Sequence, residues 1–234
     1  MPNEVLLLWL EGPMQSWGTR SRWDVRDTGL EPTKSGVIGL LGAARGLERD
    51  DARLVEMDEQ LRFGVRVDRA GIVATDYHTV TGYHRTAAGG FKHSGGTATT
   101  LKTALEHGPH TIVSPRDYLH DAVFLVALGG PADLIGECRA RLSDPVWPLY
   151  LGRKNCPATR PFLVRKAPSY VEIEAALSEL PRHKSALAGR LAAFVEDPQG
   201  NFERQDALRV NPLRMYEFRS CRYLEVDPPC TSPE

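Results

Sequence analysis

The chain has 234 residues, 41% of them hydrophobic and 25% charged, and a formal net charge of −1 at pH 7. The composition is typical of a globular protein. The near-neutral charge argues against a free-standing, non-specific nucleic-acid binder but is compatible with a local basic groove. No apolar stretch approaches the ~18 residues that span a membrane, and no signal-peptide pattern opens the chain, which predicts a cytoplasmic protein. The four cysteines form no C-x-x-C pair, so we expect no metal site and no cofactor.

The first predicted elements are a buried strand and a capped helix. Residues 5–10 form an uninterrupted apolar run, typical of a strand buried on both faces. A loop, GPMQSWG, follows it, and PTKSG then precedes a glycine-rich apolar helix for which Thr33 or Ser35 is the predicted N-cap. Residues 50–60 predict a second helix. RFGVRVDR alternates like a half-buried strand, and IVATDYHTV is its predicted hairpin partner.

Residues 79–115 differ from the rest of the chain. They hold six glycines, eight threonines and four of the seven histidines, with Glu106 as the single acid. Only residues 99–107 predict a short helix. A segment this long inside a domain is usually functional, and the alternative is a flexible surface insertion.

Regular structure is predicted again from residue 116. Residues 116–130 predict a strand centred on 122–128, and PADLIGECRARL predicts a helix. The result is an α+β fold close to β-α-β-β-α-β, a ferredoxin-like arrangement over residues 1–145. Residues 146–234 predict a smaller extension packed on this core: a Pro-rich stretch with five basic residues and no acid between Tyr150 and Lys166, a helix at 170–180 and a small C-terminal β region.

The loop after the first strand is a candidate RNA-binding element. It places Trp17 and Trp23 close to Arg20, Arg22 and Arg26, and aromatic faces beside guanidinium groups suit single-stranded nucleic acid. The alternative is that the indoles cover the core while the arginines are solvated. That alternative is favoured for Trp23, and both interpretations stay open for Trp17.

The PTKSG segment places Lys34 between two hydroxyl side chains at a helix start, where unpaired N–H groups attract phosphate. The spacing does not fit a Walker motif, and capping alone explains Thr33 and Ser35.

Tyrosine, histidine and lysine in DYHT and YLGRK could support metal-free RNA cleavage through the 2′-hydroxyl. Nothing in the sequence brings His78 and Lys154 together, so an enzyme is not indicated.

Several segments in order resemble one family. They are LLLWLEGPMQSWG, PTKSGVIGLLGAARGL, VRVDRAG, DYHTVTG, RDYLHDAVFLVAL and PLYLGRKNCPATRP, within about residues 5–161. The series resembles the CasD family of type I-E CRISPR Cascade subunits, within the RAMP (repeat-associated mysterious protein) superfamily.

The resemblance implies an RNA-recognition-like (RRM-like) ferredoxin core with a thumb-like hairpin insertion at about residues 79–115. It further implies a non-catalytic RNA-binding scaffold of the antiviral complex, which grips the 5′ handle of the CRISPR RNA. The implied partners are the adjacent backbone subunit and the large subunit, with target DNA nearby in the assembled complex. The implied RNA-binding residues are Gln15, Ser16, Trp17, Arg20, Thr33, Lys34, Ser35, His78, Thr79, Arg116, Tyr118, Arg153 and Lys154.

Two other functions stay open. A related branch, which serves type I-C systems, cleaves precursor CRISPR RNA through tyrosine, lysine and histidine, so a metal-independent endoribonuclease is the alternative. A purely structural bridge that contacts only protein is the third possibility. The RNP1 signature of RNA-recognition motifs is absent, so base stacking on sheet aromatics cannot be assumed.

Overall fold

The computed structural model describes residues 3–19, 25–209 and 215–230. The strands are β1 (Asn3–Glu11), β2 (Met14–Gln15), β3 (Arg62–Arg69), β4 (Ile72–Gly82), β5 (Phe91–His93), β6 (Gly96–Ala98), β7 (His110–His120), β8 (Val123–Pro131), β9 (Leu191–Glu196), β10 (Phe202–Arg209) and β11 (Met215–Val226). The helices are α1 (Lys34–Arg45), α2 (Arg53–Gln60), α3 (Leu101–Leu105), α4 (Ala132–Ser143) and α5 (Ile173–Glu179). The fold is therefore a mixed α/β fold, as the sequence predicted.

The chain divides into two compact units. The larger unit comprises Met1–Thr19, Thr28–Ala74 and Tyr118–Glu234, and the smaller unit comprises Arg20–Asp27 and Thr75–Asp117. The predicted boundary between residues 145 and 146 does not separate these units, because the C-terminal strands belong to the larger one.

A six-stranded sheet in the order β1-β8-β3-β9-β11-β10 forms the larger unit, with antiparallel neighbours throughout. β8 lies between β1 and β3, and its residues 123–128 are fully buried. The single strand predicted over residues 116–130 is in fact two strands, β7 and β8. A turn separates them, and Asp121 has a φ of 57° there.

Apolar side chains cover both faces of the part of this sheet that contains β1, β8 and β3. On one face, alternate residues of β1 such as Leu6 and Leu8 pack in a cluster with residues of α1, α2 and α4. On the other face, Val5 and Leu7 pack in a cluster with Tyr170 and α5. β3 is buried on both faces too, which corrects the prediction of a half-buried strand.

Arg66 on β3 explains how a charged side chain tolerates complete burial. Its guanidinium donates to both carboxylate oxygens of Asp68, over 2.7 and 3.0 Å. It also donates to the main-chain oxygens of Leu177 and Leu180, over 2.6 and 2.7 Å. Carbonyls at a helix C-terminus have no partner within the helix, so Arg66 satisfies the end of α5 while pairing with Asp68.

The C-terminal strands extend the core sheet, and they do not form a separate β region. β9 pairs with β3 from Gly64↔Val195 to Arg66↔Ala193, and β11 pairs with β9. β10 was not predicted, because FERQDALR has too many charged residues for a strand pattern.

Residues 162–170 cover the outer edge of β1. Trp9 N donates to Phe162 O over 2.8 Å, Val164 N donates to Leu7 O over 3.1 Å, and Val5 N donates to Tyr170 O over 3.0 Å. A short irregular segment therefore runs antiparallel to β1 where a further strand would otherwise lie.

The smaller unit is a long hairpin of β4 and β7 with β5, β6 and α3 between them. Side-chain hydrogen bonds join the two long strands, from Thr75 to Asp117 over 2.7 Å and between Thr81 and Thr111 over 2.9 Å. The Gly- and Thr-rich residues 79–115 therefore form regular structure, and the predicted short helix is α3.

None of the helices in the described ranges has both the length and the apolar character needed to cross a membrane.

Replacing Arg66 with methionine should destabilise the chain strongly, because it leaves Asp68 buried without its cation. The expected decrease is about 3–5 kcal/mol in the free energy of unfolding, measured by urea denaturation. The matched control is Arg53→Met, whose exposed side chain pairs with Asp51, and it should change the unfolding midpoint little. Equal effects of the two variants would contradict the role assigned to Arg66.

Candidate nucleic-acid interface

The loop that leaves β1 is held by buried polar contacts. The Gln15 side-chain amide donates to Leu10 O over 3.2 Å and to Ala122 O over 2.9 Å, and its oxygen accepts from the Trp17 indole over 3.0 Å. Trp17 is 1% exposed, and a Cβ at Gly36 of α1 would lie 3.0 Å from its ring. The Trp17 indole therefore covers the core, which decides the question that the sequence left open.

This result corrects the expectation that the side chains of Gln15, Ser16 and Trp17 face RNA, because all three are buried. The loop after β1 also contains Arg20, Arg22 and Trp23, which lie outside the described residues.

A tight loop at residues 151–156, named the basic loop here, packs on the exit of β1. Leu151 N donates to Cys156 O over 2.8 Å, and Ser16 N donates to Leu151 O over 3.0 Å. Gly152 has a φ of 88°, and a Cβ on it would lie 1.7 Å from Ser16 O. Only glycine fits this position, which accounts for the glycine in YLGRK and holds the next two residues in place.

The basic loop carries Arg153 and Lys154. The Arg153 guanidinium lies 4.7 Å from the centre of the Tyr118 ring, and the Tyr118 hydroxyl accepts from the Asn155 amide over 2.8 Å. Lys154 is exposed and Arg153 is half-buried, whereas the Tyr118 side chain is buried. The structure thus brings together three of the predicted site residues, Tyr118, Arg153 and Lys154, and leaves one ammonium group open to solvent.

Lys34 lies at the start of α1 but points into the protein. It is 3% exposed, and its ammonium lies 2.9 Å from Glu196 and 3.7 Å from Asp58. Its main-chain N–H donates to Asp206, which in turn pairs with Arg219 over 2.6 Å. The expectation that Lys34 contacts phosphate is therefore corrected: its charge is neutralised inside a cluster that joins α1 and α2 to the C-terminal strands.

The hydroxyl groups beside Lys34 differ in exposure. Thr33 is buried, and its side chain accepts from Gly36 N as the N-cap of α1, as predicted. Ser35 is half-buried.

Asp58 has an unusual environment within this cluster. One of its carboxylate oxygens is buried without a hydrogen-bond partner among the described residues. Burial raises the pKa of Asp58 to about 6, and the nearby carboxylates of Glu196 and Asp206 act in the same direction, against the opposing effect of Lys34. The cluster therefore binds a proton more tightly than an exposed aspartate would.

The remaining predicted residues lie on the hairpin of the smaller unit. His78 and Thr79 are on β4, and Arg116 is on β7. Thr79 is exposed, and the His78 ring lies 3.5 Å from the Asp76 carboxylate with 40% of its side chain exposed. Arg116 forms a parallel bridge with Arg26. His78 and Lys154, the pair considered for cleavage, thus belong to different units.

The faces of β1, β8 and β3 are not available for base stacking, whereas β11 leaves Tyr216, Phe218 and Tyr223 exposed. α5 and Tyr170 cover the face opposite α1 and α4. The sequence predicted this helix, at residues 170–180, but its local pattern did not indicate which surface the helix would cover. A nucleic-acid interface on the larger unit must therefore use loops or the exposed part of β11, and the basic loop carries an exposed cation that the sequence predicted, Lys154. Among the described residues, no group of three or more side chains suits a metal ion.

A family model described as CRISPR-associated protein (Cas_Cas5) matches residues 5–221. The chain belongs to the Cas5 family of CRISPR-associated proteins. It is 36% identical to the CRISPR system Cascade subunit CasD of Escherichia coli (strain K12) over 174 residues, 69% of this chain and 70% of that protein. This finding confirms the resemblance to CasD.

Two solved structures agree with this assignment. One is described as a CRISPR RNA-guided surveillance complex, with a TM-score of 0.72, 34% identity, and coverage of 96% of this chain and 91% of that one. The other is described as a crystal structure of a Cas protein, with a TM-score of 0.70, 31% identity, and coverage of 98% and 100%. The similarity therefore extends through the C-terminal third, where the sequence motifs are weak.

Lowering the pH from 8 to 5 should stabilise the chain through Asp58. Because its pKa is higher in the folded state than its ordinary value, folding takes up a proton as the pH falls through 6. We expect Asp58→Asn to lack about 1 kcal/mol of this gain in the free energy of unfolding.

The matched control is Glu59→Gln, an exposed change on the same helix. Burial lowers the pKa of His183, so this histidine makes the folded chain less stable as the pH falls. The effect is the same in the wild type and in both variants, and it cancels in the comparison. The same pH dependence in wild type and Asp58→Asn would contradict the assignment.

Proposed function

We propose that the chain is a non-catalytic RNA-binding scaffold subunit of a type I-E CRISPR surveillance complex, Cascade, and that it grips the 5′ handle of the CRISPR RNA. The observation that carries the proposal is the basic loop. Its lysine is held at the surface by a backbone contact that only glycine permits, in a chain similar to CasD. Single-stranded RNA binding needs positive charge along a backbone track.

The charge distribution supports this role. The segment from Tyr150 to Lys166 has five basic residues and no acid, although the chain as a whole carries a net charge of −1. Arg165 and Lys166 are exposed as Lys154 is. A subunit that shares its RNA with others needs a local cationic track and does not need a basic surface overall.

Two sets of residues are proposed to contact RNA, one in each unit. In the larger unit they are Arg153 and Lys154, with Tyr118 and Asn155 positioning the loop. In the smaller unit they are His78, Thr79 and Arg116, on the hairpin that we propose to be the thumb. Arg20 stays a proposal from the sequence alone.

The strand order supports a ferredoxin-like RAMP core as the scaffold. β1, β8 and β3 are adjacent in that order, as the first, third and second strands of such a core would be. Residues 162–164, antiparallel to β1, take the place of the fourth strand. The C-terminal strands would then be an extension of this core sheet.

The proposed partners follow from the assembly. One of the matched structures is described as an RNA-guided surveillance complex. By this likeness we propose that the chain caps the complex, contacts the adjacent backbone subunit and the large subunit, and lies near target DNA.

Reversing the charge of Lys154 should weaken RNA binding. For Lys154→Glu we expect a lower affinity for handle RNA in the presence of the backbone subunit. The log–log salt slope should become shallower by about 0.7 for each single-strand phosphate that the chain no longer neutralises.

The control is Arg141→Glu, the same charge change on the exposed side of α4, which should bind as wild type does. An equal decrease in affinity for both variants would count against a specific role for the basic loop. No RNA crosslink at Lys154 would favour the purely structural bridge.

The rival function, metal-independent cleavage of precursor RNA, predicts a different result. We expect repeat-containing RNA incubated with the purified chain in chelator to stay intact, and His78→Ala to change nothing. A single cut that His78→Ala abolishes would establish the endoribonuclease instead.

A further inference from the structure

The outer edges of the two main sheets are protected to different degrees. Unpaired N–H and C=O groups at a sheet edge attract other chains, so folded proteins usually cover or interrupt such edges. Residues 162–170 cover the outer edge of β1. The edge strand β10 has a register shift between Gln205 and Ala207 and carries Glu203, Arg204 and Asp206. Both edges of the six-stranded sheet are therefore blocked.

β4 has no comparable protection. It is the edge strand of the three-stranded sheet β2-β7-β4, and among the described residues nothing pairs with its outer side. From Thr75 to Gly82 its one charged residue is Asp76, and the segment contains no lysine or proline. Its apolar side chains are open to solvent, with Tyr77 71% and Val80 39% exposed.

The hydrogen bonds of β7 show which β4 groups face outward. Asp117 N donates to Arg26 O over 2.8 Å, and Arg26 N donates to Pro115 O over 3.1 Å. Pro115 and Asp117 therefore direct their main-chain groups away from β4.

The cross-strand contacts transfer this orientation to β4. Side-chain hydrogen bonds join Thr75 to Asp117 and Thr81 to Thr111, and both fit the single antiparallel register in which these residues lie directly opposite. Directly opposite residues in an antiparallel pair either both face each other or both face away. The main-chain groups of Thr75, Tyr77, Thr79 and Thr81 consequently point to the unpaired edge.

We infer that this edge receives an extended strand from a neighbouring protein subunit, which lengthens the hairpin sheet by one strand. That the neighbour is another subunit of the complex rests on the proposed function. The kind of recognition follows from the main-chain groups at the β4 edge. A row of alternating N–H and C=O groups is matched by another polypeptide backbone. RNA has no such row of N–H groups, and Asp76 would repel its phosphates. The partner strand should carry uncharged β-branched or aromatic side chains beside Tyr77.

Amide hydrogen exchange at single-residue resolution tests the inference. The full chain is compared alone, with handle RNA alone, and in the complex assembled with CRISPR RNA and the other subunits. We expect the amides of Tyr77 and Thr81, which are not among the proposed RNA contacts, to exchange at least tenfold more slowly in the complex, and to be unchanged by RNA alone.

Three results would overturn it. Rapid exchange of these amides in a correctly assembled complex would refute the strand addition while leaving the proposed function intact. Protection by RNA alone would assign the edge to RNA. Protection that rises with the concentration of the isolated chain would assign it to a second copy.

A pair of variants at one position separates backbone from side chain. Tyr77→Pro removes an outward N–H and leaves the β4–β7 ladder untouched, as edge strands tolerate, whereas Tyr77→Ala keeps that N–H. We expect Tyr77→Pro to reduce incorporation into the complex at least tenfold and Tyr77→Ala to reduce it less. Unchanged circular dichroism and melting temperature establish that each variant is folded, and exchange at Ser114 reports on the ladder itself. Equal incorporation of a folded Tyr77→Pro and Tyr77→Ala would overturn the inference.

Discussion

Coverage of β1, β8 and β3 on both faces of the six-stranded sheet is the constraint on which the rest of the molecule depends. α1, α2 and α4 cover one face, and α5 with Tyr170 covers the other. These three strands have no face left for a ligand, so binding surfaces must form at loops, at free edges or on β11, where Tyr216, Phe218 and Tyr223 are exposed. Among the loops and free edges, the basic loop and the β4 edge are the features that the structure develops most clearly.

The buried charges of the larger unit serve its own assembly. Arg66 joins β3 to the end of α5, and Lys34 with Arg219 joins the first helix to the C-terminal strands. Each of these cations is matched by a carboxylate, which burial requires. The basic residues between Tyr150 and Lys166 differ from these buried cations, because that segment contains no acid to pair with them.

Glycine acts at one decisive place. The approach of Gly152 to Ser16 O excludes any side chain, so the loop that carries Arg153 and Lys154 is held by the exit of β1. That exit is in turn held by Gln15 and Trp17. The buried residues of the β1 exit, which the sequence motifs indicated as RNA contacts, thus support the residues that remain candidates for that role.

The sequence alone determined the local elements and the family. The apolar run of β1, the Thr33 cap of α1 and the ordered motifs each depend on neighbouring residues, so a single chain reveals them. Only the tertiary structure decided that Lys34 and Trp17 point inward, that β10 pairs with β11, and that residues 162–164 cover the edge of β1. The physical reason is that these outcomes depend on partners outside the local motif: Glu196 for Lys34, Gly36 and the core for Trp17, and β11 for β10. Periodicity and composition indicate whether a residue is buried. They do not identify the partner that makes burial of a charge possible, because the fold sets that partner.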